Sequence, residues 1–312
     1  MTKIFIDGAA GTTGLRIHDR LSEREDLSLI QLPEALRKDT EARKKALNEA
    51  DIVFLCLPDA AAVEAVSLIE NPAVKVIDTS TAHRTDPGWV YGFPEIVGKK
   101  AVQQAKRIAN PGCHASGFIA LTYPLIQAGL LSKDVNLTCF SLTGYSGGGK
   151  KMIAEYEDAD RSPLLDAPRQ YGITQKHKHL PEMQAVTGLL SAPVFCPIVA
   201  DFYSGMEVTV LVFGKDLRGT VEDVKAAYER FYGAYDAGIV YFKDNADEGG
   251  FLSAAALSGK DTMEISVSGN AERILLTARF DNLGKGASGA AIQNMNLLMG
   301  CPDTEGLVTA DE

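Results

Sequence analysis

The sequence lacks several features that would assign it to a special class. Its five cysteines, at positions 56, 113, 139, 196 and 301, are odd in number and include no C-x-x-C pair. That pattern argues against a disulfide framework and favours a reduced compartment, so we expect a cytoplasmic protein. No apolar run approaches the length of a membrane span, and the first residues lack the basic, apolar and small-residue regions of a signal peptide.

An excess of positive charge is also missing. The 312 residues include 31 Lys and Arg against 41 Asp and Glu, which gives a formal net charge of −10. This balance argues against nucleic acid or an anionic membrane as a partner, although it does not exclude a local basic pocket for a phosphorylated substrate. The hydrophobic fraction of 46% is ordinary for a globular protein, and the length suffices for two domains, each with its own core.

The chain opens with the pattern of a dinucleotide-binding fold. A short apolar strand over 3–7 is followed by a glycine turn over 8–14 and then by a helix. The spacing G-x-x-G-x-x-G differs from the usual G-x-G-x-x-G, but glycines still let the backbone approach a pyrophosphate, whose charge the helix N-terminus attracts. We therefore predict that the cofactor is bound by Gly8, Gly11, Thr12, Thr13 and Gly14.

The residues after the second strand normally meet the adenosine ribose of the cofactor. Glu34 alone would indicate a free 2′-hydroxyl and NAD, whereas Arg37 and Lys38 would hold a 2′-phosphate and favour NADP. A solvated charged loop is the alternative for each of these residues. We expect NADP, with Arg37 among the residues that bind it.

Strands and helices then alternate. Apolar strands over 51–58 and 74–78 are separated by a helix over 60–70, which predicts a doubly wound parallel sheet. Ligands bind at the carboxyl ends of such strands, so Arg84, which follows the second of these strands, is a candidate anion clamp. A surface arginine is the alternative.

A lone cysteine behind a Pro-Gly turn is the candidate nucleophile. The apolar-periodic run over 118–126 places Cys113 at or just before the first turn of a helix, where the positive end of the helix dipole favours thiolate over thiol. Gly112 leaves room for a substrate to approach the sulfur. A buried structural cysteine is the alternative.

His177 and His179 are two of only five histidines. On an extended segment, residues two apart face the same side, so both imidazoles would share a cleft with Cys113 and act as general acid or base. A zinc site and a surface loop are the alternatives. We expect no metal, because no further His or Cys stands at ligand spacing.

The remaining sequence predicts a second domain. Strands over 135–143, 194–200, 206–213, 239–242, 262–267 and 274–280, with one helix over 221–232, indicate an α+β fold with a mostly antiparallel sheet. A glycine cluster before Lys150 suggests an anion-approach loop, with a flexible surface turn as the alternative. Asn282 and Gly286 belong to a glycine-rich segment before the last helix and are predicted cofactor contacts.

Seven segments, in this order, resemble the shorter variant of the N-acetyl-gamma-glutamyl-phosphate reductases, a family related to aspartate-semialdehyde dehydrogenase. They are Gly8–Gly14, Ser80–Arg84, Tyr91–Glu95, Asn110–Cys113, Ser146–Lys150, His177–Glu182 and Asn282–Gly289. The resemblance implies a Rossmann-like NADP-binding domain over 1–112, completed by a C-terminal helix over 285–312, and a catalytic, dimerising α+β domain over 113–284. It also implies NADPH, a small acyl-phosphate substrate, a cytoplasmic enzyme of arginine biosynthesis, and a dimer or tetramer.

The resemblance also implies roles for single residues. Cys113 forms a thioester, His179 or less favourably His177 transfers the proton, and the substrate and its phosphate are bound by Arg84, Asn110 and Lys150. One residue departs from the family pattern, because an aromatic side chain is expected at His114, which either tunes the thiolate or occupies the outer face of the helix. The alternatives are another phosphorylating aldehyde dehydrogenase, a non-catalytic NADP-binding regulator and a cysteine hydrolase.

Overall fold

The computed structural model describes residues 1–235 and 237–309, which form two compact units. Unit 1 comprises Met1–Pro111 and Ala287–Leu307, and unit 2 comprises Gly112–Gly286 with the segment that begins at Val308. Residues 310–312 of the predicted C-terminal segment lie outside the described residues. Within the described ranges, no helix combines the length and the apolar character that crossing a membrane requires.

The secondary structure follows the predicted alternation in both units. In chain order the strands are β1 Thr2–Asp7, β2 Leu27–Ile30, β3 Ile52–Leu55, β4 Lys75–Asp78, β5 Val90–Tyr91, β6 Arg107–Ala109, β7 Thr138–Gly144, β8 Arg169–Gln170, β9 Val194–Ala200, β10 Met206–Phe213, β11 Val240–Phe242, β12 Met263–Gly269 and β13 Arg273–Phe280. The helices are α1 Thr12–Ser22, α2 Thr40–Glu49, α3 Asp59–Ser67, α4 Pro94–Val97, α5 Lys99–Gln103, α6 Cys113–Gln127, α7 Gly149–Glu157, α8 Leu180–Thr187, α9 Val221–Gly233 and α10 Gly289–Met299.

Unit 1 is built on a six-stranded sheet in the order β2-β1-β3-β4-β6-β5, and every neighbouring pair is parallel. Both faces of the sheet are covered. Ile4 and Phe54 belong to one core cluster with residues of α1 and α10, whereas Phe5 and Val53 belong to another with residues of α2 and α3. Burial on both faces explains why β1 and β3 read as continuous apolar runs, and the doubly wound Rossmann-like prediction is confirmed.

Unit 2 contains a seven-stranded mixed sheet in the order β11-β12-β13-β10-β7-β9-β8. The pairs β11–β12 and β7–β9 are parallel and the other four are antiparallel, which confirms the predicted mostly antiparallel α+β fold. Helix α6 packs on one face of this sheet. A Cβ added at Gly117 would lie 2.5 Å from Val208 Cγ2 and 3.0 Å from Phe280 Cε1, so this close approach requires a glycine.

Helix α6 continues through a proline because another helix supplies the missing donor. Pro124 has no N–H, and its ring faces the carbonyl of the residue four positions earlier, Ala120. The Tyr232 hydroxyl donates a hydrogen bond to Ala120 O at 2.6 Å, and the Tyr228 hydroxyl donates to Leu121 O at 2.5 Å. Both tyrosines lie on α9 and are buried, so α9 satisfies the Ala120 carbonyl, which lost its helical donor to the proline, and also bonds the next carbonyl.

The other face of the unit 2 sheet carries exposed apolar side chains. Register places Leu211 opposite both Leu275 and Thr138, and Thr138 in turn lies opposite Val194. Because residues two apart on a strand share a face, five exposed side chains point the same way. We call this surface the open face, and its apolar members are Phe140, Val194, Leu211, Phe213 and Leu275.

Candidate active site

The glycine turn after β1 has no room for larger residues. Gly8 adopts φ +91°, and a Cβ there would lie 2.3 Å from the backbone oxygen of Cys56. A Cβ at Gly14 would lie 2.4 Å from the backbone oxygen of Gly8, whereas a Cβ at Gly11 would meet its nearest atom only at 3.4 Å. The first and third glycines therefore permit the turn and the strand–helix packing, and the second leaves the backbone open to a ligand.

Helix α1 begins at Thr12 and has no acidic residue in its first turn, as a pyrophosphate site requires. Beside the turn lies a cavity of about 860 Å³, lined among others by Gly8, Ala9, Ala10, His18, Gln31, Glu34, Arg37, Lys38 and Arg43. Arg43 is tied to the Asp7 carboxylate, 2.9 Å from Nη2, whereas Arg37 and Lys38 are exposed at the cavity wall. The residues present therefore fit a dinucleotide with an anionic group near Arg37.

Arg84 and Asn110 are neighbours within unit 1. Arg84 Nε donates to the backbone oxygen of Asn110 at 2.9 Å, and Nη2 donates to that of Thr79 at 3.1 Å. The Asn110 side chain donates to Ala287 O at 3.0 Å and accepts from Asn294 Nδ2 at 3.2 Å. Much of the hydrogen-bonding capacity of both side chains thus holds the backbone after β6 in place, and their substrate-binding roles stay predictions.

Cys113 is the first residue of α6, as predicted, and Gly112 is its N-cap. The Gly112 N–H donates to Glu182 Oε1 at 2.8 Å, and Cys113 is partly exposed and not sealed in the core. A Cβ at Gly286 would lie 3.0 Å from Cys113 Cβ, so the glycine-rich segment before α10 packs against the nucleophile. Sequence reasoning assigned Gly286 to the cofactor and gave Glu182 no role, although both lie in segments that it had singled out.

The two predicted histidines meet at the ring of His114, the residue that follows the nucleophile. The rings of His177 and His179 have centroids 4.8 Å apart, and both pack on His114, with centroids 5.7 and 5.5 Å from its ring. His114 is only 3% exposed, so the alternative that it occupies the outer face of the helix is wrong. The predicted extended segment is also wrong, because His179 has φ −84° and ψ −13° at the start of α8, and a turn brings the rings together.

A backbone hydrogen bond determines the tautomer of His177. The His179 N–H donates to His177 Nδ1 at 3.2 Å, so a neutral His177 carries its proton on Nε2. Burial, and secondarily the charge of Lys178, lowers the pKa of His177, which keeps the ring neutral near pH 7. A general base needs an unprotonated nitrogen facing the reacting group, and the acceptor nitrogen of His177 is already engaged. This arrangement argues against His177 as the general base, and the proton-transferring role of His179 stays a prediction.

Two further predicted residues lie elsewhere in unit 2. Lys150 is exposed in the first turn of α7. Asn282 is buried, accepts from the Gly205 N–H at 2.9 Å and donates to Ser146 Oγ at 3.0 Å, which ties the end of β13 to two loops. Their phosphate and cofactor roles stay predictions. In the part of the chain that the structure describes, no group of three or more His, Cys, Asp or Glu is placed to hold a metal ion.

Two family models match the two halves of the chain. The "Semialdehyde dehydrogenase, NAD binding domain" matches residues 3–105, and the "Semialdehyde dehydrogenase, dimerisation domain" matches residues 113–282. Among solved structures, the chain is similar to aspartate semialdehyde dehydrogenase II complexed with ASA from Vibrio cholerae, with a TM-score of 0.72 at 18% identity over 96% of this chain and 98% of that chain. It is also similar to aspartate semialdehyde dehydrogenase with NADP from Candida albicans, with a TM-score of 0.65 at 16% identity over 97% and 99%. The fold and the domain matches define the class, the two-domain semialdehyde dehydrogenases.

Curated relatives are much more similar in sequence. N-acetyl-gamma-glutamyl-phosphate reductase from Burkholderia lata is 47% identical over 309 residues, which cover 96% of this chain and 97% of the relative. N-acetyl-gamma-glutamyl-phosphate reductase 2 from Nostoc sp. is 43% identical over 318 residues, which cover 98% and 99%. The chain belongs to the N-acetyl-gamma-glutamyl-phosphate reductase family, and the resemblance found in the sequence is confirmed.

Proposed function

We propose that the chain catalyses the NADPH-dependent reduction of N-acetyl-γ-glutamyl phosphate to N-acetyl-glutamate 5-semialdehyde and phosphate, a step of arginine biosynthesis. The observation that carries the proposal is the position of Cys113, at the first turn of α6 and beside the histidine pair, in a chain of this family. Such a thiol suits acyl transfer, because the helix N-terminus favours the thiolate.

The chain's own residues account for the acyl-transfer half of the reaction. The Cys113 thiolate attacks the acyl-phosphate carbonyl, and the backbone N–H groups of the first turn of α6 stabilise the oxyanion. Phosphate leaves with cationic help, for which Arg84 and Lys150 are the candidates, and an acyl thioester remains on Cys113. Asn110 positions the substrate.

Unit 1 serves as the NADP-binding domain, and unit 2 as the catalytic and dimerisation domain. The backbone at Gly8–Gly14 and the Arg37 side chain would hold the cofactor in unit 1. When bound, NADPH supplies the hydride that reduces the thioester carbon to the level of the aldehyde. His179 supplies the proton to the oxygen and recovers it when the aldehyde is released.

Two copies of the chain would meet through the open face of unit 2. The face exposes Phe213 at 60% and Val194 at 57%, and the dimerisation-domain match spans all of its strands. Phe213→Asp or Leu211→Asp should convert a dimer into monomers, because each places a charge in an apolar contact. Size-exclusion chromatography with light scattering measures the mass. An unchanged mass for both variants would place the interface elsewhere, and a mass of four chains would show a tetramer.

The reaction is tested in the reverse direction with N-acetyl-glutamate semialdehyde, phosphate and each nucleotide in turn. Phosphate-dependent formation of NADPH is expected, and it should disappear in Cys113→Ser while fluorescence still reports NADPH binding. Full activity of that variant would refute the covalent step. Aspartate semialdehyde as the better substrate would favour the alternative dehydrogenase, and nucleotide binding without turnover would favour a regulator.

A further inference from the structure

The side chain after the nucleophile links two hydroxyl groups. His114 Nδ1 lies 2.6 Å from Ser141 Oγ on β7, and Nε2 lies 2.6 Å from Tyr171 Oη in the loop after β8. The rings of Phe195 and His177 pack around the imidazole, with centroids 5.3 and 5.7 Å away. The buried imidazole therefore has one polar partner on each nitrogen, and aromatic rings enclose it.

The hydrogen bonds decide which nitrogen carries the proton. Burial, and secondarily the charge of His177, lowers the pKa of His114 to about 3, so the ring is neutral and has one N–H. Ser141 is fully buried, and among the residues that the structure describes its hydroxyl has one hydrogen-bond partner, His114 Nδ1. If Nδ1 carried the proton, the Ser141 O–H would lose its acceptor at a cost of about 1–3 kcal/mol. The Ser141 hydroxyl therefore donates to Nδ1, and the His114 proton lies on Nε2.

This tautomer determines what the phenol can do. The Nε2–H of His114 donates to Tyr171 Oη, so the Tyr171 O–H points away from the imidazole and is available to another acceptor. Burial raises the pKa of Tyr171, and the charge of a Cys113 thiolate raises it further. The phenol thus stays protonated as a donor, and it lies within electrostatic reach of the sulfur.

We propose that Tyr171 is a further catalytic residue whose O–H, oriented by the Ser141–His114 hydrogen-bond chain, donates to the oxyanion that forms when Cys113 attacks the acyl carbon. His114 is a positioning residue and transfers no proton. The inference rests on the proposed function, since it takes Cys113 as the acyl-accepting nucleophile. Its readout does not need the natural substrate, because any activated ester develops the same oxyanion.

The first experiment measures the release of p-nitrophenolate when p-nitrophenyl acetate acylates Cys113, together with kcat and KM of the reductase. Tyr171→Phe should slow both acylation and kcat about 100-fold, as expected for the loss of one oxyanion donor, with little change in KM. The control Tyr123→Phe removes the hydroxyl of a half-buried tyrosine ten residues further along α6 and should react like the wild type. An acylation rate in Tyr171→Phe equal to that of the wild type would overturn the proposal.

The second experiment separates positioning from packing. If His114 acts only through Tyr171, then His114→Phe should slow acylation, and the double variant should be no slower than Tyr171→Phe alone. His114→Gln, whose amide can donate to Tyr171, should recover part of the rate. If the rate losses of the two single variants multiplied in the double variant, the inference that His114 acts through Tyr171 would be overturned. Thermal unfolding of each variant shows whether it is folded. If His114→Phe is not folded, the comparison is made with His114→Gln instead.

The third experiment reads the tautomer directly. In ¹⁵N-histidine-labelled protein, the resonances missing from the His114→Gln spectrum belong to His114, and they should report Nε2–H throughout pH 5 to 9. An Nδ1–H tautomer, or protonation within that range, would contradict the inference. If the protein showed a p-nitrophenolate burst that depends on Tyr171 but did not reduce the acyl phosphate, the proposed function would be refuted and the role of Tyr171 would stand.

Discussion

An alanine at Gly286 should impair the nucleophile more than it impairs the fold. Its Cβ would lie 3.0 Å from Cys113 Cβ, 3.1 Å from Asp281 O and 3.3 Å from Phe280 Cε2, all shorter than ordinary contacts. Phe280 is fully buried and cannot retreat, so the strain falls on the first turn of α6. We expect a destabilisation of about 1–3 kcal/mol and, because the sulfur moves by several tenths of an ångström, a loss of kcat of about 10- to 100-fold.

The matched control is Gly233→Ala at the end of α9. A Cβ there meets no atom within 4 Å, and Gly233 is not among the glycines with positive φ. Alanine should therefore leave kcat unchanged and stabilise the protein by up to about 1 kcal/mol. The assays are kcat, the rate of alkylation by iodoacetamide and urea unfolding. Wild-type kcat and alkylation in Gly286→Ala, or an equal loss in Gly233→Ala, would refute the reasoning.

Three further predictions concern stability, pH and the cofactor. Tyr232→Phe removes the donor to Ala120 O and should lower the free energy of unfolding in urea by about 1–3 kcal/mol, whereas Tyr123→Phe should change it by less than about 0.5. The pKa of His114 falls from its ordinary 6.5 to about 3, so between these values only the unfolded chain binds the proton. As the pH drops from 6.5 to about 3, His114 should therefore lower the free energy of unfolding by about 1.4 kcal/mol per pH unit. His114→Phe should flatten that slope. Arg37→Ala should raise KM for NADPH at least about tenfold and leave KM for NADH unchanged.

Each of these predictions has an outcome that contradicts it. Equal stability of the two tyrosine variants would mean that the Ala120 carbonyl finds another donor. An unchanged acid slope in His114→Phe would mean that other buried groups, His177 among them, set the pH dependence. A parallel rise of both KM values in Arg37→Ala would mean that the arginine shapes the cavity instead of binding a phosphate.

The sequence by itself determined the features that depend on local chemistry. Glycine spacing at the first turn, continuous apolar strands and a cysteine at a helix start each follow from backbone sterics, burial on two faces or the helix dipole, and these act over a few residues. The ordered set of motifs then identified the family. The limits of β3 were predicted less accurately, at 51–58 against the observed Ile52–Leu55. Neighbouring strands decide where pairing ends, and local sequence does not report them.

Only the tertiary structure decided which distant side chains meet. Glu182 accepts a hydrogen bond from Gly112, seventy residues away, and His114 is contacted by Ser141 from a strand and by Tyr171 from a loop. No spacing rule reports such contacts, because chain folding and not periodicity brings the partners together. The histidine pair shows the difference most clearly: the residue types predicted acid–base chemistry, but a turn at the start of α8, and not an extended strand, makes their rings converge. Desolvation then sets the protonation of His114, and burial is a property of the folded chain alone.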